Sequence, residues 1–281
     1  MTRMQPSRLH PSSGSVSTTN VADSISLSPN FHRPSLRPAV AEVYETFRRH
    51  AAPSFPLDVC LMCCVSEEVE RALREWPLEQ ITARHLYEYN GSAKGIVQPV
   101  QEVKHLLPRM LDLLSEGEEI HHSIELSLIR LGLCPEGSWN DAERRVLDRF
   151  ALAYFALILH GERRWHEEPL SVLLMFHIGG FAVQPLLDLW LQSEDPVSTV
   201  QFVTGTYWDF WEDRKYRNAF ASDRHAFQAQ LQAWMLDPVH RQRFASKMLT
   251  PAFQALADVQ PPIGHMPFLM MAEGVFDQLT Q

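Results

Sequence analysis

The sequence lacks the features that mark membrane-spanning, secreted or nucleic-acid-binding proteins. It contains no run of about 18 uncharged apolar residues, which a membrane-spanning helix requires. Arg3 and Arg8 are not followed by the apolar stretch of a secretion signal. Basic residues are outnumbered, 25 against 34 acidic ones, and the formal net charge is −9. We therefore expect a cytoplasmic protein that binds neither membranes nor nucleic acid directly, because net negative charge repels polyanions.

Common catalytic motifs and strand patterns are also missing. There is no G-x-G-x-x-G, no Walker phosphate-binding loop and no G-x-S-x-G nucleophile turn. The polar and apolar alternation of strands and the turn dipeptides of hairpins do not occur over any convincing length. The absence of catalytic motifs makes an enzyme less expected, and the absence of strand patterns argues against a β-sheet.

Helical periodicity runs through the chain from residue 39 onward. Val40, Val43 and Phe47 share one helix face, and Asn140 stands three residues before Glu143 as in a capping box. The pattern predicts an all-α fold, a globular multi-helix domain of about a dozen helices. HEAT-like helix pairs are the alternative arrangement, although no repeat of fixed period recurs.

The first 38 residues differ in composition from the rest. Residues 1–38 are rich in Ser, Thr and Pro, which predicts a disordered arm. We expect residues 39–281 to form a single all-α domain, with a candidate seam near residues 132–140. Removing the four arginines and one aspartate of the arm leaves 21 basic and 33 acidic residues, a formal charge of −12 for the predicted domain.

Three of the four cysteines form a C-x-x-C-C cluster, Cys60, Cys63 and Cys64, just before a predicted helix start at Ser66. Cytoplasmic thiols stay reduced, so we expect no disulfide framework. Three interpretations remain open: buried packing, a zinc site and a redox site. The redox interpretation is favoured by the helix start that follows, because a helix N-terminus lowers thiol pKa values. Zinc needs four ligands. The C-x-x-C pair, Cys134 and a histidine such as His85, His105 or His122 would supply them.

Glutamate and histidine recur at a spacing of three residues. The pairs are Glu102 with His105, Glu118 with His121, and Glu119 with His122. This spacing places both side chains on one face of a helix, as in di-iron carboxylate bundles. It requires residues 118–131 to be helical up to Gly132, which the periodicity also predicts. The alternative is a solvated face with acidic residues at a helix start.

A segment of aromatic and acidic residues, 207–213, is the strongest candidate for an interaction surface. As a helix it would carry an aromatic band too wide for one core stripe. Interface anchors and a core helix with a charged outer face both remain open. The predicted partner-binding residues are Trp208, Asp209, Trp211, Glu212 and Asp213, with Glu116, Glu118 and Glu119 as a second acidic surface.

Apolar residues near the end of the sequence form another candidate face. They are Met266, Phe268, Met270, Met271 and Phe276. Methionine adapts to irregular surfaces, so this face is either a flexible binding surface or core filling.

Four sequence segments carry a resemblance to a known family. They are Asp58-Val-Cys60-Leu-Met-Cys63-Cys64, Trp76-Pro-Leu78, Leu86-Tyr-Glu-Tyr-Asn90 and Leu106-Leu-Pro-Arg-Met110. Over residues 40–135 the chain resembles bacterial helical proteins associated with polymorphic toxin loci, in particular immunity proteins that neutralise nuclease-type effectors of type VI secretion. The resemblance carries over no catalytic residue, and the arm of residues 1–38 departs from it.

Two functions follow as expectations. The first is an acidic protein that binds and neutralises a cognate basic toxin, because a negative surface speeds encounter with a positive cleft. It needs no cofactor. The alternative is a metal-dependent or redox enzyme, with zinc as the candidate ion, centred on Cys60, Cys63, Cys64 and the nearby histidines.

Overall fold

Capping residues set the starts of several helices. In this computed structural model, residues 35–161 and 168–281 are described. The Ser66 hydroxyl accepts a hydrogen bond from the Val69 amide at 3.2 Å. Asn140 and Glu143 form the predicted capping box, each side chain accepting from the other residue's amide. These local bonds satisfy amides that have no partner within the helix.

The described residues are all-helical and contain no β-strand, which confirms the predicted fold class. The α-helices are α1 (Arg37–Phe47), α2 (Glu67–Glu75), α3 (Ala83–Gly91), α4 (Val100–Glu116), α5 (Ile129–Gly132), α6 (Asp141–Leu159), α7 (Pro169–Ile178), α8 (Gln184–Gln192), α9 (Pro196–Tyr207), α10 (His225–Leu236), α11 (Pro238–Met248), α12 (Pro251–Ala257) and α13 (Phe268–Thr280). Short 3-10 turns cover Leu78–Gln80, Ile124–Leu126 and Ala219–Ala221.

Helices that are distant in sequence pack together. Helix α6 contacts α1, α7, α8 and α9, and α9 also contacts α11, α12 and α13. A stack of HEAT-like pairs would contact mainly sequence neighbours. The described residues, 35–161 and 168–281, instead form one compact, globular unit around these two helices.

Aromatic side chains fill the part of the core near α8, α9 and α11. The Phe202 and Phe244 rings stack with centroids 3.8 Å apart, and Trp190 meets Phe202 edge-on. The Trp190 indole N–H donates to the Ser198 carbonyl at 3.0 Å, so its polar atom is satisfied inside the core. This packing joins α9 to α11, and both helices also contact α12 and α13.

The predicted arm falls almost entirely outside the described residues. Of residues 1–38, the structure describes only the last four, and there Leu36 is buried and α1 begins at Arg37. The predicted seam near residues 132–140 lies within the compact unit, where the Gln98 amide donates to the Leu133 carbonyl at 3.0 Å. No helix among the described residues has the length and apolar character to cross a membrane.

The helix predicted over residues 118–132 is wrong. Helix α4 ends at Glu116, and Gly117 adopts the left-handed conformation with φ of 78°. The Glu118 amide donates back to the Leu113 carbonyl, which closes the helix end. Residues 118–123 are irregular, and the α-helix that ends at Gly132 is the short α5, which begins at Ile129.

The helical arrangement considered for residues 207–213 does not form beyond Tyr207. Helix α9 ends at Tyr207, and consecutive turns follow to Arg214, which has a positive φ of 51°. The Arg217 amide donates to the Asp209 carbonyl at 2.8 Å, so the chain folds back on itself. The aromatic residues of this segment therefore do not lie on two adjoining helix faces.

Candidate functional site

The structure brings Cys60, Cys63 and Cys64 together in a turn before α2. The Cys63 sulfur lies 3.6 Å from that of Cys60 and 3.5 Å from that of Cys64. In the described part of the chain, these three residues form the one group of potential metal ligands, among Cys, His, Asp and Glu, whose ligand atoms all lie within 4.8 Å of one another. Cys63 is exposed and its two neighbours are half-buried. The cluster is therefore accessible from solvent.

A buried polar network holds the loop that carries the cysteines. The Arg130 guanidinium is fully buried, stacks 3.8 Å from the Tyr89 ring centroid and donates to the Asp58 carbonyl at 3.0 Å. The Glu102 carboxylate accepts from the Tyr89 hydroxyl at 2.8 Å and from the Asp58 amide at 3.1 Å. Charged groups in the interior are costly unless they are paired, so this network is stable only as a complete set.

A second loop supports the cysteines from the other side. The Cys60 amide donates to the Ser92 hydroxyl at 2.8 Å. The Asp58 carboxylate accepts from the Gly95 amide at 2.9 Å and from the Gln98 side chain. These hydrogen bonds join residues 58–60 to residues 92–98, which limits the motion of Cys60.

The thiols of Cys60 and Cys63 differ in acidity. Hydrogen bonds from the Cys63 amide, then from the Cys63 thiol and the Met62 amide, lower the pKa of Cys60. Hydrogen bonding to Cys64 and then to Cys60 raises the pKa of Cys63 to about 11. Of these two thiols, Cys60 therefore loses its proton more readily.

The other predicted zinc ligands, Cys134 and the three histidines, are not part of the cluster. Cys134 stands apart, its thiol contacts the Arg130 carbonyl at 3.5 Å, and burial raises its pKa to about 11. His85 completes the capping box of α3 with Thr82, and His105 bonds the carbonyl of His50. The His122 ring lies 4.2 Å from that of His121. In this structure Cys134 therefore lies outside the thiol cluster.

The Glu-x-x-His pairs do not assemble into a dinuclear centre in the described part of the chain. Glu102 belongs to the buried network beneath the cysteine loop. Glu118 and Glu119 are exposed in the irregular segment after α4, so the helical spacing does not apply to them. Burial, followed by the charge of His122, lowers the pKa of His121 to about 4, which keeps this ring neutral at pH 7.

The predicted aromatic surface is divided between core and solvent. Trp211 is buried, and its indole N–H donates to the Thr206 hydroxyl at 2.9 Å, so it is not a surface residue. Trp208 is 50% exposed and packs edge-on against Tyr207. Its exposed face is the aromatic surface that remains available to a partner.

The carboxylates of that segment are less available than the sequence predicts. Arg217 pairs with Glu212 at 2.7 Å and with Asp213 at 2.8 Å. Asp209 is half-buried, and burial raises its pKa. Of the second predicted surface, Glu116, Glu118 and Glu119 are all exposed. The local negative field around Trp208 is thus partly cancelled by Arg217.

A groove between α12 and α13 combines apolar and acidic residues. Its volume is about 390 Å³. Met248, Phe253 and Ala272 are buried at its base, while Leu249 and Leu269 stay about half exposed. The acidic lining residues are Asp258, Glu273 and Asp277, and no Lys, Arg or His lines the groove in the described part of the chain.

One residue of this groove belongs to the apolar face that the sequence predicts. Phe276 belongs to the predicted apolar face and lines the groove, whereas Phe268 and Met271 of the same prediction are core residues. The residues from α11 and α12 were not predicted. A compositional signal was present, because residues 249–281 contain three acidic residues and no lysine or arginine.

Comparisons with known proteins give no further guide to function. No family model, no curated protein and no solved structure matches the chain.

Proposed function

We propose that this protein is a cytoplasmic binding protein that neutralises a basic bacterial toxin by direct contact, the function implied by its resemblance to immunity proteins of nuclease-type effectors. The groove between α12 and α13 is the observation that carries the proposal. Its base is apolar and all of its charged lining residues are acidic.

The chemistry of the groove fits a basic amphipathic helix. Such a helix buries its apolar side chains over Phe253 and between Leu249 and Leu269, which removes exposed apolar surface from water. Lysine or arginine side chains beside that face reach the carboxylates of the groove. Apolar burial slows dissociation, and complementary charge selects the partner.

A nuclease-type toxin meets these requirements because a surface that receives a polyanion is itself cationic. The net charge of −9 adds a long-range attraction that speeds the encounter. Glu118 and Glu119, both exposed, contribute to this field. The exposed face of Trp208 offers a second contact of the aromatic type that is common at interface hot spots.

The test uses a defined probe and three proteins. The probe is a fluorescent helical peptide with leucine at positions i, i+3, i+4 and i+7 and lysine elsewhere. The groove variant carries Asp258→Asn, Glu273→Gln and Asp277→Asn. The matched control, Glu118→Gln, Glu119→Gln and Glu212→Gln, loses the same charge at the sequence-predicted surfaces. We expect the groove variant to bind the peptide about tenfold more weakly and the control to lose much less affinity, because its three charges act only through the screened long-range field.

The same proteins then capture partners from the native lysate at low and high salt. The proposal requires a basic protein whose toxic activity is inhibited by the wild type and less by the groove variant. Equal loss of peptide binding in both variants would contradict the groove as the binding site. An acidic partner, or a captured protein that is not inhibited, would contradict toxin neutralisation.

A further inference from the structure

We propose that Cys60, Cys63 and Cys64 bind a single thiophilic cation with a filled d shell, and that Cu(I) is the preferred ion. The site is distinct from the groove, since none of the three cysteines lines it.

The spacing of the sulfur atoms suits a shared ion. Two sulfurs bonded to one ion at about 2.3 Å lie about 3.8 Å apart around a tetrahedral centre and about 4.0 Å apart around a trigonal one. The separations of 3.6 Å and 3.5 Å are slightly shorter than both values, and the third pair, Cys60 and Cys64, lies within 4.8 Å. Only a small expansion of the turn is needed to place an ion among the three sulfurs.

The ligand atoms favour a soft ion. All three members of the cluster offer sulfur, and no His, Asp or Glu belongs to it among the described residues. Thiolates select Cu(I), zinc and iron–sulfur clusters over harder cations. Three thiolates complete a trigonal Cu(I) site, whereas tetrahedral zinc needs a fourth ligand, for which the predicted Cys134 is not in position.

The surrounding structure prepares the loop for binding. The Cys60 amide is anchored by Ser92, and the Asp58 backbone is held by Arg130 and Glu102. The Cys64 amide donates to the Cys60 carbonyl at 3.2 Å, which closes the turn. A preorganised loop loses less conformational entropy when the ion binds.

The site is open to an incoming ion. Cys63 is exposed, and Met62, between Cys60 and Cys63, is 93% exposed. Each thiol that binds the cation releases its proton to solvent. Exposure of this kind suits an ion that is acquired from, or passed to, another thiol ligand.

Binding is tested on the full chain, without an affinity tag and reduced with a phosphine under anaerobic conditions. Cu(I) is titrated in competition with bicinchoninate, and zinc is titrated separately against a chromogenic chelator. We expect one Cu(I) per chain and weaker binding of zinc. Cys60→Ser and Cys63→Ser should each lower the affinity for Cu(I) by about 100-fold. Cys134→Ser is the matched control and should bind like the wild type.

The thiols are near the surface, so we expect each variant to fold, and circular dichroism checks this. A loss of ion binding then reports on the site and not on unfolding. Failure of the reduced wild type to bind either ion would overturn the site. So would equal weakening by Cys134→Ser, since Cys134 lies outside the cluster. Tighter binding of zinc than of Cu(I) would overturn the choice of ion. The result is independent of peptide binding at the groove, so either proposal can fail alone.

Discussion

Glu143 connects a local signal in the sequence to long-range packing. It completes the capping box of α6, and its fully buried carboxylate also pairs with Lys104 at 2.7 Å, Arg49 at 2.9 Å and His50 at 2.9 Å. The capping role could be predicted from the spacing to Asn140. The ion pairs could not, because Lys104 and Arg49 are separated from Glu143 by many residues in sequence.

We expect Glu143→Gln to lower the free energy of unfolding by about 3 kcal/mol at pH 7, because it leaves the buried Lys104 ammonium without its counter-charge. Chemical denaturation measures this loss. Glu45→Gln is the control, since Glu45 and its partner Arg48 are both exposed and such pairs contribute little. An equal effect of the two substitutions would contradict the structural role of Glu143.

The same residue predicts a pH dependence. Burial opposes ionisation of Glu143, but hydrogen bonds from Lys104 and Arg49 outweigh it and lower the pKa from 4.5 to about 2. The stabilisation is therefore complete above pH 4.5 and is lost as the pH falls from 4.5 towards 2. The difference between wild type and Glu143→Gln should shrink over that interval. A difference in unfolding free energy that does not change with pH would show that the charge of Glu143 is not the cause.

At the scale of helices, local signals predicted several boundaries correctly and failed in two segments. Ser66 and Asn140 mark the starts of α2 and α6 as the sequence indicates, and Thr82 caps α3 in the same way. Gly117 ends α4 as a helix-closing glycine should, but the further helix that periodicity predicts over residues 118–131 does not form. The end of α9 has no such local marker. It depends on burial of Trp211 and on the chain reversal at Arg214, which are properties of the packed structure.

The contact between α5 and α7 depends on a glycine. A Cβ atom on Gly132 would lie 1.8 Å from the Ile178 carbonyl oxygen, which is backbone and has little room to move. We expect Gly132→Ala to lower the free energy of unfolding by about 3 kcal/mol through overpacking. The control is Gly91→Ala, where no atom lies within 4 Å of the added carbon. Thermal unfolding compares the two variants. A Gly132→Ala variant as stable as the wild type would show that α5 and α7 do not approach each other this closely.

At the scale of the whole molecule, net charge predicts how the proposed complex responds to salt. The groove holds three carboxylates, and the chain carries a net charge of −9. Raising salt from about 0.05 to 0.5 M shortens the screening length severalfold. We expect the affinity for the cationic peptide to fall by about tenfold, mostly through slower association. Fluorescence anisotropy and stopped-flow mixing measure both quantities.

The variant with a neutralised groove should show a smaller salt effect than the wild type, because fewer charges face the peptide. Salt-independent binding of the wild type would mean that apolar burial alone drives the contact. A steeper dependence in the variant would contradict charge complementarity at the groove.

The all-α fold, most helix starts and the acidic balance were determined by the sequence, because periodicity, capping and charge are local or additive properties. So was the C-x-x-C-C cluster, whose members lie within one turn. Tertiary structure decided which surface is apolar and acidic, since the groove joins residues of α11, α12 and α13. It also moved Trp211 into the core and left Cys134 outside the thiol cluster. Side chains that meet across helices depend on packing, which no single stretch of sequence contains.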